Sequence, residues 1–314
     1  MRKIRFRADA SAQIGFGHFI RTLALADMLK DDFDCVFYTA EPSSYQIGEI
    51  QKVCSYVPLS EKTKFEDFVA MLDGSEIVVL DNYFFTTDYQ RAIKAKGCKL
   101  VCIDDMHNKH YVADAVVNHG LTDPMLFDKE PYTKLYLGFD YALLRKPFLQ
   151  PAKKEKKKNH WFVSFGGSDY NNLTGKFLSY LENNESVESV TVVIGDAFSR
   201  KEILNSYKKA TILKNLSANR MRDEMTDAEY AVLPSSSVCI EAISCGCKIA
   251  SGYYVDNQQE FYNHISSELF IYPLGDLNEW KGDSFIEGVN QFEFKTQDDF
   301  STISVRYKQL FKEL

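Results

Sequence analysis

The sequence has few of the features that mark membrane, secreted or nucleic-acid-binding proteins. No apolar run among its 314 residues is long enough to cross a bilayer. The first seven residues carry charge but lack the apolar core of a signal peptide, so we expect a cytoplasmic protein with no membrane partner. The net charge of -7 argues against a basic surface for nucleic acid, and no nucleic-acid partner is expected.

Metal-binding patterns of cysteine are also missing. The seven cysteines include two close pairs, Cys98 with Cys102 and Cys245 with Cys247, but neither pair has the partners that a zinc site needs. We interpret the cysteines as buried free thiols. The segment 104–107 contains two aspartates and a histidine, yet adjacent carboxylates on a strand point to opposite sides. We therefore expect neither a metal nor a cofactor.

Short apolar runs alternate with helical patterns along the chain. The run 77–80 is apolar throughout, and the run 190–194 is apolar except for Thr191, which is typical of strands buried in a parallel sheet. Two prolines and a lysine-rich run at 147–158 interrupt the alternation and indicate a linker. The sequence predicts an α/β protein with two Rossmann-like domains, 1–150 and 151–314. Packing of the last helix against the N-terminal domain is left open.

One segment near the start, 13–21, connects an expected strand to an expected helix. Open α/β sheets bind ligands at such turns. Gly15 and Gly17 let the backbone approach a ligand, and the helix start offers N–H groups to an anion. His18 can exchange a proton near neutral pH. A glycine turn with a helix-capping histidine explains the same residues equally well.

Two turns in the second half are typical of phosphate sites. In the first, Gly166, Gly167 and Ser168 could bind phosphate at a helix start, with Asp169 as the helix cap. In the second, Ser235, Ser236 and Ser237 open a helix, and Glu241 could accept hydrogen bonds from ribose hydroxyls. Ordinary capping, including a capping-box variant at the second turn, is the alternative.

Taken in order, these segments resemble the PseG family, which hydrolyses UDP-2,4-diacetamido-2,4,6-trideoxy-β-L-altropyranose in pseudaminic acid biosynthesis. The resemblance starts with residues 7–18 and continues through 81–83, 103–105 and 141–148 to the two turns described above and Asn257-Gln258. It implies the GT-B fold of MurG-like enzymes, two Rossmann-like domains facing each other across a cleft, with the nucleotide on the C-terminal domain. The chain departs from the family pattern at Asn82 and at Phe84-Phe85, where bulk could change the sugar that fits.

The resemblance also implies a reaction and a set of site residues. The reaction is hydrolysis of a UDP-sugar with inversion, in which His18 is the general base and Tyr83 and Asn257 position the sugar or the water. The residues implied to bind the sugar side are Asp9, Gln13, Gly15, Gly17, Arg21, Asp81 and Gln258. Those implied to bind the nucleotide are Gly166, Gly167, Ser168, Asp169, Ser235, Ser236, Ser237 and Glu241.

Two other functions remain open on the sequence. A GT-B glycosyltransferase would use the same UDP-sugar as a donor, and a nucleotide-sugar-binding module would bind it without turnover. Fold analogy cannot separate these functions. Release of free sugar and UDP without an acceptor would indicate the hydrolase. The identity of the sugar and the oligomeric state, for which a monomer is plausible, are not fixed.

Overall fold

The computed structural model describes residues 1–11, 14–120, 122–150, 154–166, 169, 171–195, 198, 206–282, 284–296 and 299–314. The chain divides into two compact units. Unit 1 comprises Met1–Lys146 together with Ser301–Leu314, and unit 2 comprises Pro147–Phe300. A short helix, α5 (Lys146–Leu149), lies at the boundary.

Unit 1 is built on a parallel sheet that has seven strands among the described residues, in the order β3-β2-β1-β4-β5-β6-β7. All neighbours in this sheet run parallel. The strands are β1 (Lys3–Arg7), β2 (Asp34–Ala40), β3 (Ser55–Leu59), β4 (Ile77–Leu80), β5 (Lys99–Ile103), β6 (Ala115–Asn118) and β7 (Lys134–Leu137). Every residue of β4 and β6 is buried, as expected for parallel strands covered on both faces.

The helices of unit 1 connect these strands. They are α1 (Gly17–Leu29), α2 (Ser44–Gln51), α3 (Lys64–Ala70) and α4 (Thr87–Ala95), and the C-terminal helix α11 (Ile303–Glu313) joins them. Helix α11 packs within unit 1, where the Tyr307 hydroxyl donates a hydrogen bond to the Tyr141 carbonyl at 2.6 Å. The ring of Phe311 makes an edge contact with Phe33.

Unit 2 repeats the same plan with six strands in its described part. The strands are β8 (Lys157–Val163), β9 (Ser189–Ile194), β10 (Ala210–Lys214), β11 (Ala228–Pro234), β12 (Lys248–Tyr253) and β13 (Tyr272–Asp276), in the order β10-β9-β8-β11-β12-β13. The helices are α6 (Leu173–Asn183), α7 (Ala218–Asp227), α8 (Ser237–Ser244), α9 (Gln259–Ser267) and α10 (Phe285–Gln291). Its core is aromatic: Trp161 stacks on Tyr230, and Phe165 stacks on Phe177.

Each sheet has one point where the strand order reverses. In unit 1 the reversal lies between β1 and β4, and in unit 2 it lies between β8 and β11. Connections leave toward opposite sides at such a point, which opens a crevice at the carboxyl ends of the two strands. The segments that follow these four strands are therefore the places to look for ligand-binding residues.

These two parallel sheets confirm the predicted α/β class. All seven cysteines are free, and six of them are buried, while Cys54 is partly exposed. Over the ranges that the structure describes, no helix combines the length and the apolarity needed to span a membrane.

Candidate active site

His18 is presented at the reversal point of unit 1 by the turn between β1 and α1. Gly15 has φ +75°, a left-handed conformation that favours glycine, and its N–H donates to the Ser11 carbonyl at 2.9 Å. A Cβ atom on Gly15 or Gly17 would meet no atom of the described residues within 4 Å, so the described backbone here borders open space. No described side chain caps the start of α1. The imidazole of His18 therefore sits beside a helix start whose first N–H groups are open to a ligand.

The imidazole of His18 is held by a carboxylate at the end of the neighbouring strand. Its Nδ1 atom lies 2.7 Å from Oδ1 of Asp81, the residue that follows β4. The Asp81 N–H donates to the Arg7 carbonyl at 3.1 Å, which continues the pairing of β4 with β1 and fixes the aspartate. Thr22, one turn further along α1, donates its hydroxyl hydrogen to Oδ2 of Asp81 at 2.7 Å.

The charge on Asp81 determines how the imidazole is protonated. Burial alone would raise the pKa of Asp81, but the neighbouring Arg21 and His18 hold it well below its usual range. A carboxylate can only accept, so the 2.7 Å contact requires the proton to be on Nδ1 of His18. Arg21 Nη2 lies 3.2 Å from the same Nδ1, and two donors cannot form a hydrogen bond with each other. Nε2, the other ring nitrogen, has no hydrogen-bond partner among the described residues, so it is the atom available to act as a general base.

Arg21 is clamped between two carboxylates. It donates to Asp81 from Nε at 2.7 Å and from Nη2 at 2.6 Å, and its Nη1 lies 2.6 and 2.7 Å from the two oxygens of Asp105. Burial would lower the pKa of Arg21, but Asp105 and Asp81 raise it well above its usual value. The sequence placed Arg21 and Asp81 among the substrate-binding residues. Their geometry instead supports a role in holding the histidine.

Tyr83 also contacts the histidine. Its ring meets the imidazole edge-to-face, with centroids 4.5 Å apart, and its hydroxyl donates to Oδ2 of Asp105 at 3.1 Å. Tyr83 is 41% exposed, so part of the ring faces solvent and is available to a ligand. The structure thus brings together His18, Tyr83, Arg21 and Asp81 of the predicted set, and adds Asp105 and Thr22.

The carboxylate of Asp9 is engaged within unit 1, and its contact with substrate stays a prediction. Its carboxylate is buried and forms a bidentate pair with Arg7, accepts the Ala40 N–H at 2.7 Å and lies 3.2 Å from Lys64 Nζ. Its backbone is bound by Asn82, which accepts the Asp9 N–H at 2.7 Å and donates to the Asp9 carbonyl at 3.3 Å. These contacts support a role in tying strand ends together.

Phe84 and Phe85, where the chain differs from the family pattern, pack inside unit 1. Phe85 is only 3% exposed, belongs to the core and stacks on Tyr89. Phe84 packs against Phe65 and receives Lys64 Nζ over its ring at 4.7 Å. The sequence suggested that these rings change the sugar that fits, whereas the structure packs both of them against other residues of unit 1.

His119, which the sequence patterns did not single out, lies close to this network. Burial together with the positive charge of Arg21 lowers its pKa to about 4, against the opposing effect of Asp105 and Asp81. His119 is thus neutral at physiological pH. Only its position after β6, two strands from β4, could have indicated its proximity.

In unit 2, the turn after β8 is partly described. Gly166 has φ +82°, and a Cβ atom there would meet nothing within 4 Å in the part of the chain that the structure describes. Both oxygens of Asp169 accept N–H groups at the start of α6, from Leu173 and Thr174, each at 2.8 Å. The expected cap is confirmed, and it fills the hydrogen-bonding positions that a phosphate would otherwise use on these two groups.

The second turn of unit 2, after β11, precedes helix α8. Ser236 is the N-cap residue of α8, and its side chain forms no capping hydrogen bond among the described residues, so the capping-box interpretation is wrong here. Ser235 is buried and bonds to the Ser251 hydroxyl at 2.8 Å, whereas Ser236 and Ser237 are half-buried. Glu241 is buried on the same helix, 7% exposed. The start of α8 can therefore accept an anion.

The remaining predicted residues are placed less centrally or are not described. Gln258 is buried and accepts the Tyr254 N–H at 3.1 Å, while Asn257 beside it is exposed. Gln13, Gly167 and Ser168 lie outside the described residues. In the described parts of the chain, no group of three or more His, Cys, Asp and Glu side chains could hold a metal ion. Asp104 and Asp105 diverge, since Asp104 accepts the His107 N–H and Asp105 binds Arg21.

Comparison with known proteins bears on these observations. No family model matches the chain. Among curated proteins, the UDP-2,4-diacetamido-2,4,6-trideoxy-β-L-altropyranose hydrolase of Campylobacter jejuni is 27% identical over 273 residues, which are 82% of this chain and 93% of that protein. An uncharacterized protein of Methanocaldococcus jannaschii is 26% identical over 88% of this chain, and the match spans only 61% of that protein. The resemblance expected from the sequence motifs is confirmed over most of the chain.

Solved structures show the fold. MurG of Acinetobacter baumannii superposes with a TM-score of 0.62 over 98% of this chain and 95% of its own, at 10% identity. The calicheamicin glycosyltransferase CalG4 gives a TM-score of 0.61 over 100% of this chain and 94% of its own, also at 10% identity. The predicted GT-B fold is confirmed by these likenesses, which at such low identity carry no further conclusion.

Proposed function

We propose that the protein hydrolyses a UDP-linked 2,4-diacetamido-2,4,6-trideoxy sugar to free sugar and UDP, with inversion at the anomeric carbon. The observation that carries this proposal is the pairing of His18 with Asp81 at 2.7 Å, which leaves Nε2 of the imidazole as a base at the ligand-binding edge of unit 1. The similarity to the Campylobacter hydrolase over most of the chain supports the same substrate class.

The reaction that this site supports is a single displacement. Nε2 of His18 removes a proton from water, the water oxygen bonds to the anomeric carbon, and the bond from that carbon to the diphosphate oxygen breaks with its electron pair leaving on UDP. Asp81 stabilises the imidazolium through Nδ1–H, and the proton then passes to solvent. General-base catalysis of this kind contributes about a hundredfold to ten-thousandfold in rate.

Unit 2 is proposed to bind the nucleotide. The uncapped start of α8, with Ser236 and Ser237, offers N–H groups and hydroxyls to the diphosphate. Gly166 leaves room for a phosphate beside the end of β8. Glu241 is proposed to accept hydrogen bonds from the ribose hydroxyls, and Asn257 to position the sugar. The leaving charge would then be stabilised by backbone dipoles that are already oriented.

The test is a proton NMR time course with a panel of UDP-linked diacetamido sugars and simple UDP-N-acetylhexosamines, run with and without EDTA. We expect UDP and the inverted free sugar from a diacetamido substrate. His18→Ala should keep UDP affinity, measured by calorimetry, and lose at least about a hundredfold in turnover. Turnover by His18→Ala at the wild-type rate would refute the base assignment, and no release from any substrate would refute hydrolysis.

Glycosyl transfer is the second candidate, because the solved structures with this fold include glycosyltransferases. A transferase would release free sugar slowly in water, and it would form product faster when an acceptor is added. The same NMR experiment with added hexosamine or lipid-linked acceptors separates the two. A rate unaffected by any acceptor supports the hydrolase.

A further inference from the structure

Asp105 binds two of the three described side chains that contact the imidazole of His18, the third being Asp81. One is Arg21, whose Nη1 lies 2.6 and 2.7 Å from the Asp105 oxygens and whose other nitrogens hold Asp81. The other is Tyr83, whose hydroxyl donates to Oδ2 of Asp105 and whose ring meets the imidazole edge-to-face. Asp105 itself forms no hydrogen bond with His18 among the described contacts.

We propose that Asp105 is the positioning residue of this site, and that it fixes the orientation of His18 through Arg21 on one side and Tyr83 on the other. The expected loss of kcat rests on the proposed function, whereas the orientation of His18 by Asp105 does not. An imidazole is a useful base only when its ring is fixed, and a displacement of about 1 Å costs on the order of a hundredfold in rate.

Two strand ends and one helix meet at this residue. Asp81 follows β4, Asp105 follows β5, and Arg21 from α1 bridges the two carboxylates. Arg21 has five N–H donors in a rigid fork, so binding at both ends fixes its plane. If only Asp81 held it, the guanidinium could rotate with that carboxylate, and the Nδ1–H contact of His18 would lose its direction.

The charge of Asp105 also acts on the site. The charged and titratable groups around it are Arg21, Asp81, His18, His119, Tyr83 and its neighbour Asp104. Replacing Asp105 by asparagine removes one negative charge from this group and leaves Arg21 less compensated.

The adjacent carboxylate provides a matched control. Asp104 is buried, accepts the His107 N–H and takes no part in the Arg21 contacts. Asp104→Asn therefore removes a neighbouring charge from the same segment without loosening Arg21 or Tyr83. Its effect should be on stability, with the tautomer of His18 retained.

The experiment compares Asp105→Asn, Tyr83→Phe, the double variant and Asp104→Asn. Nitrogen-15 NMR of the free protein reports the tautomer of His18, and kinetics across pH report kcat and KM. In Asp105→Asn, we expect the signal of a single Nδ1–H tautomer to broaden or average, and kcat to fall about tenfold to a hundredfold with a smaller change in KM. Adding Tyr83→Phe should cost little more, because its hydroxyl acts through Asp105.

Several results would overturn the proposal. An unchanged tautomer signal in Asp105→Asn would mean that any loss of kcat comes from a direct substrate contact. Fully multiplicative effects of Asp105→Asn and Tyr83→Phe would mean that the two side chains act separately. If the wild-type protein turns over no UDP-sugar, the proposed function fails, and the NMR comparison alone still decides whether Asp105 positions His18.

Discussion

The side chain of Asn82 binds the backbone of Asp9 at two atoms, accepting the Asp9 N–H at 2.7 Å and donating to the Asp9 carbonyl at 3.3 Å. The pair ties the turn after β1 to the turn after β4. Because His18 follows the first turn and Asp81 opens the second, the same pair sets the distance between the proposed base and its carboxylate. Asn82 therefore supports the site without contacting the histidine.

We predict that Asn82→Ala lowers both stability and turnover. It leaves the buried N–H and carbonyl of Asp9 without side-chain partners, which should cost about 1–3 kcal/mol in the free energy of unfolding. Turnover should fall because the His18–Asp81 contact loses its support. Urea unfolding and steady-state kinetics measure the two effects.

The matched control is Thr133→Val. Thr133 is also a buried side chain of unit 1 that bonds to backbone, donating to the Ala113 carbonyl at 2.6 Å, but it precedes β7 and lies outside the site. The Thr133→Val variant should have a lower free energy of unfolding and an unchanged kcat. Equal kcat losses in both variants would show that general destabilisation, rather than the Asn82 link, lowers activity.

Local patterns in the sequence were sufficient to predict the fold. Apolar runs such as 77–80 became buried strands, and the glycine and serine turns were recognised because strand, turn and helix are contiguous in the chain. Strand order then places the turns after β1 and β4 side by side in unit 1, and those after β8 and β11 side by side in unit 2. None of this needs a contact between distant side chains.

The inner part of the site was not predictable in the same way. Arg21 and Asp105 are separated by 84 residues, so their ion pair has no local signature. The segment with Asp105 gave no expectation of an ion pair with Arg21, and Phe85 was expected to affect which sugar fits, because burial and distant partners cannot be read from residue type. Only folded geometry shows that Phe85 faces the core and Asp105 faces Arg21.

We predict that Asp81→Asn reduces turnover by about a hundredfold to ten-thousandfold while UDP affinity is retained. An amide cannot stabilise an imidazolium and can hold the wrong tautomer of His18, which is the effect seen when the aspartate of a catalytic triad is replaced. Kinetics and calorimetric binding of UDP measure the two quantities. Thr22→Val is the control, since it removes one hydrogen bond to Asp81 and keeps its charge. A larger loss in Thr22→Val than in Asp81→Asn would contradict the assigned role.

We predict that Gly166→Ala weakens UDP binding more than Gly246→Ala does, although both substitutions strain the backbone in the same way. Gly166 and Gly246 have similar left-handed conformations, with φ +82° and +72°, and a Cβ atom meets nothing within 4 Å at Gly166 and only Lys156 Cε at 3.6 Å at Gly246. Both substitutions should cost roughly 1–2 kcal/mol in stability. Only the methyl group of Gly166→Ala would point into the space proposed for phosphate.

The comparison between the two glycines decides this prediction. Tryptophan fluorescence reports the unfolding of unit 2, since Trp161 and Trp280 both belong to it. Calorimetry then gives the UDP affinity of each variant. Equal affinities for Gly166→Ala and Gly246→Ala would remove Gly166 from the proposed nucleotide site.

The buried His119 makes part of the stability of unit 1 dependent on pH. Its pKa is lowered from 6.5 to about 4, by burial and by the charge of Arg21. Between these values the unfolded chain binds a proton at His119 and the folded protein does not. The contribution of neutral His119 to the free energy of unfolding is therefore complete above pH 6.5. It is lost as the pH falls toward 4, at up to about 1.4 kcal/mol per pH unit.

We predict that lowering the pH from 7 to 5 reduces the free energy of unfolding of His119→Gln by about 2 kcal/mol less than that of the wild-type protein. Urea unfolding followed by circular dichroism at both pH values measures the difference. His110→Gln is a control of opposite sign, because the acidic neighbours Asp128 and Glu130 raise the pKa of His110, so that its contribution is lost as the pH rises. Equal losses in wild type and His119→Gln would mean that His119 takes up its proton in the folded protein near its ordinary pKa. The inference that the imidazole of His119 is neutral beside Arg21 would then be wrong.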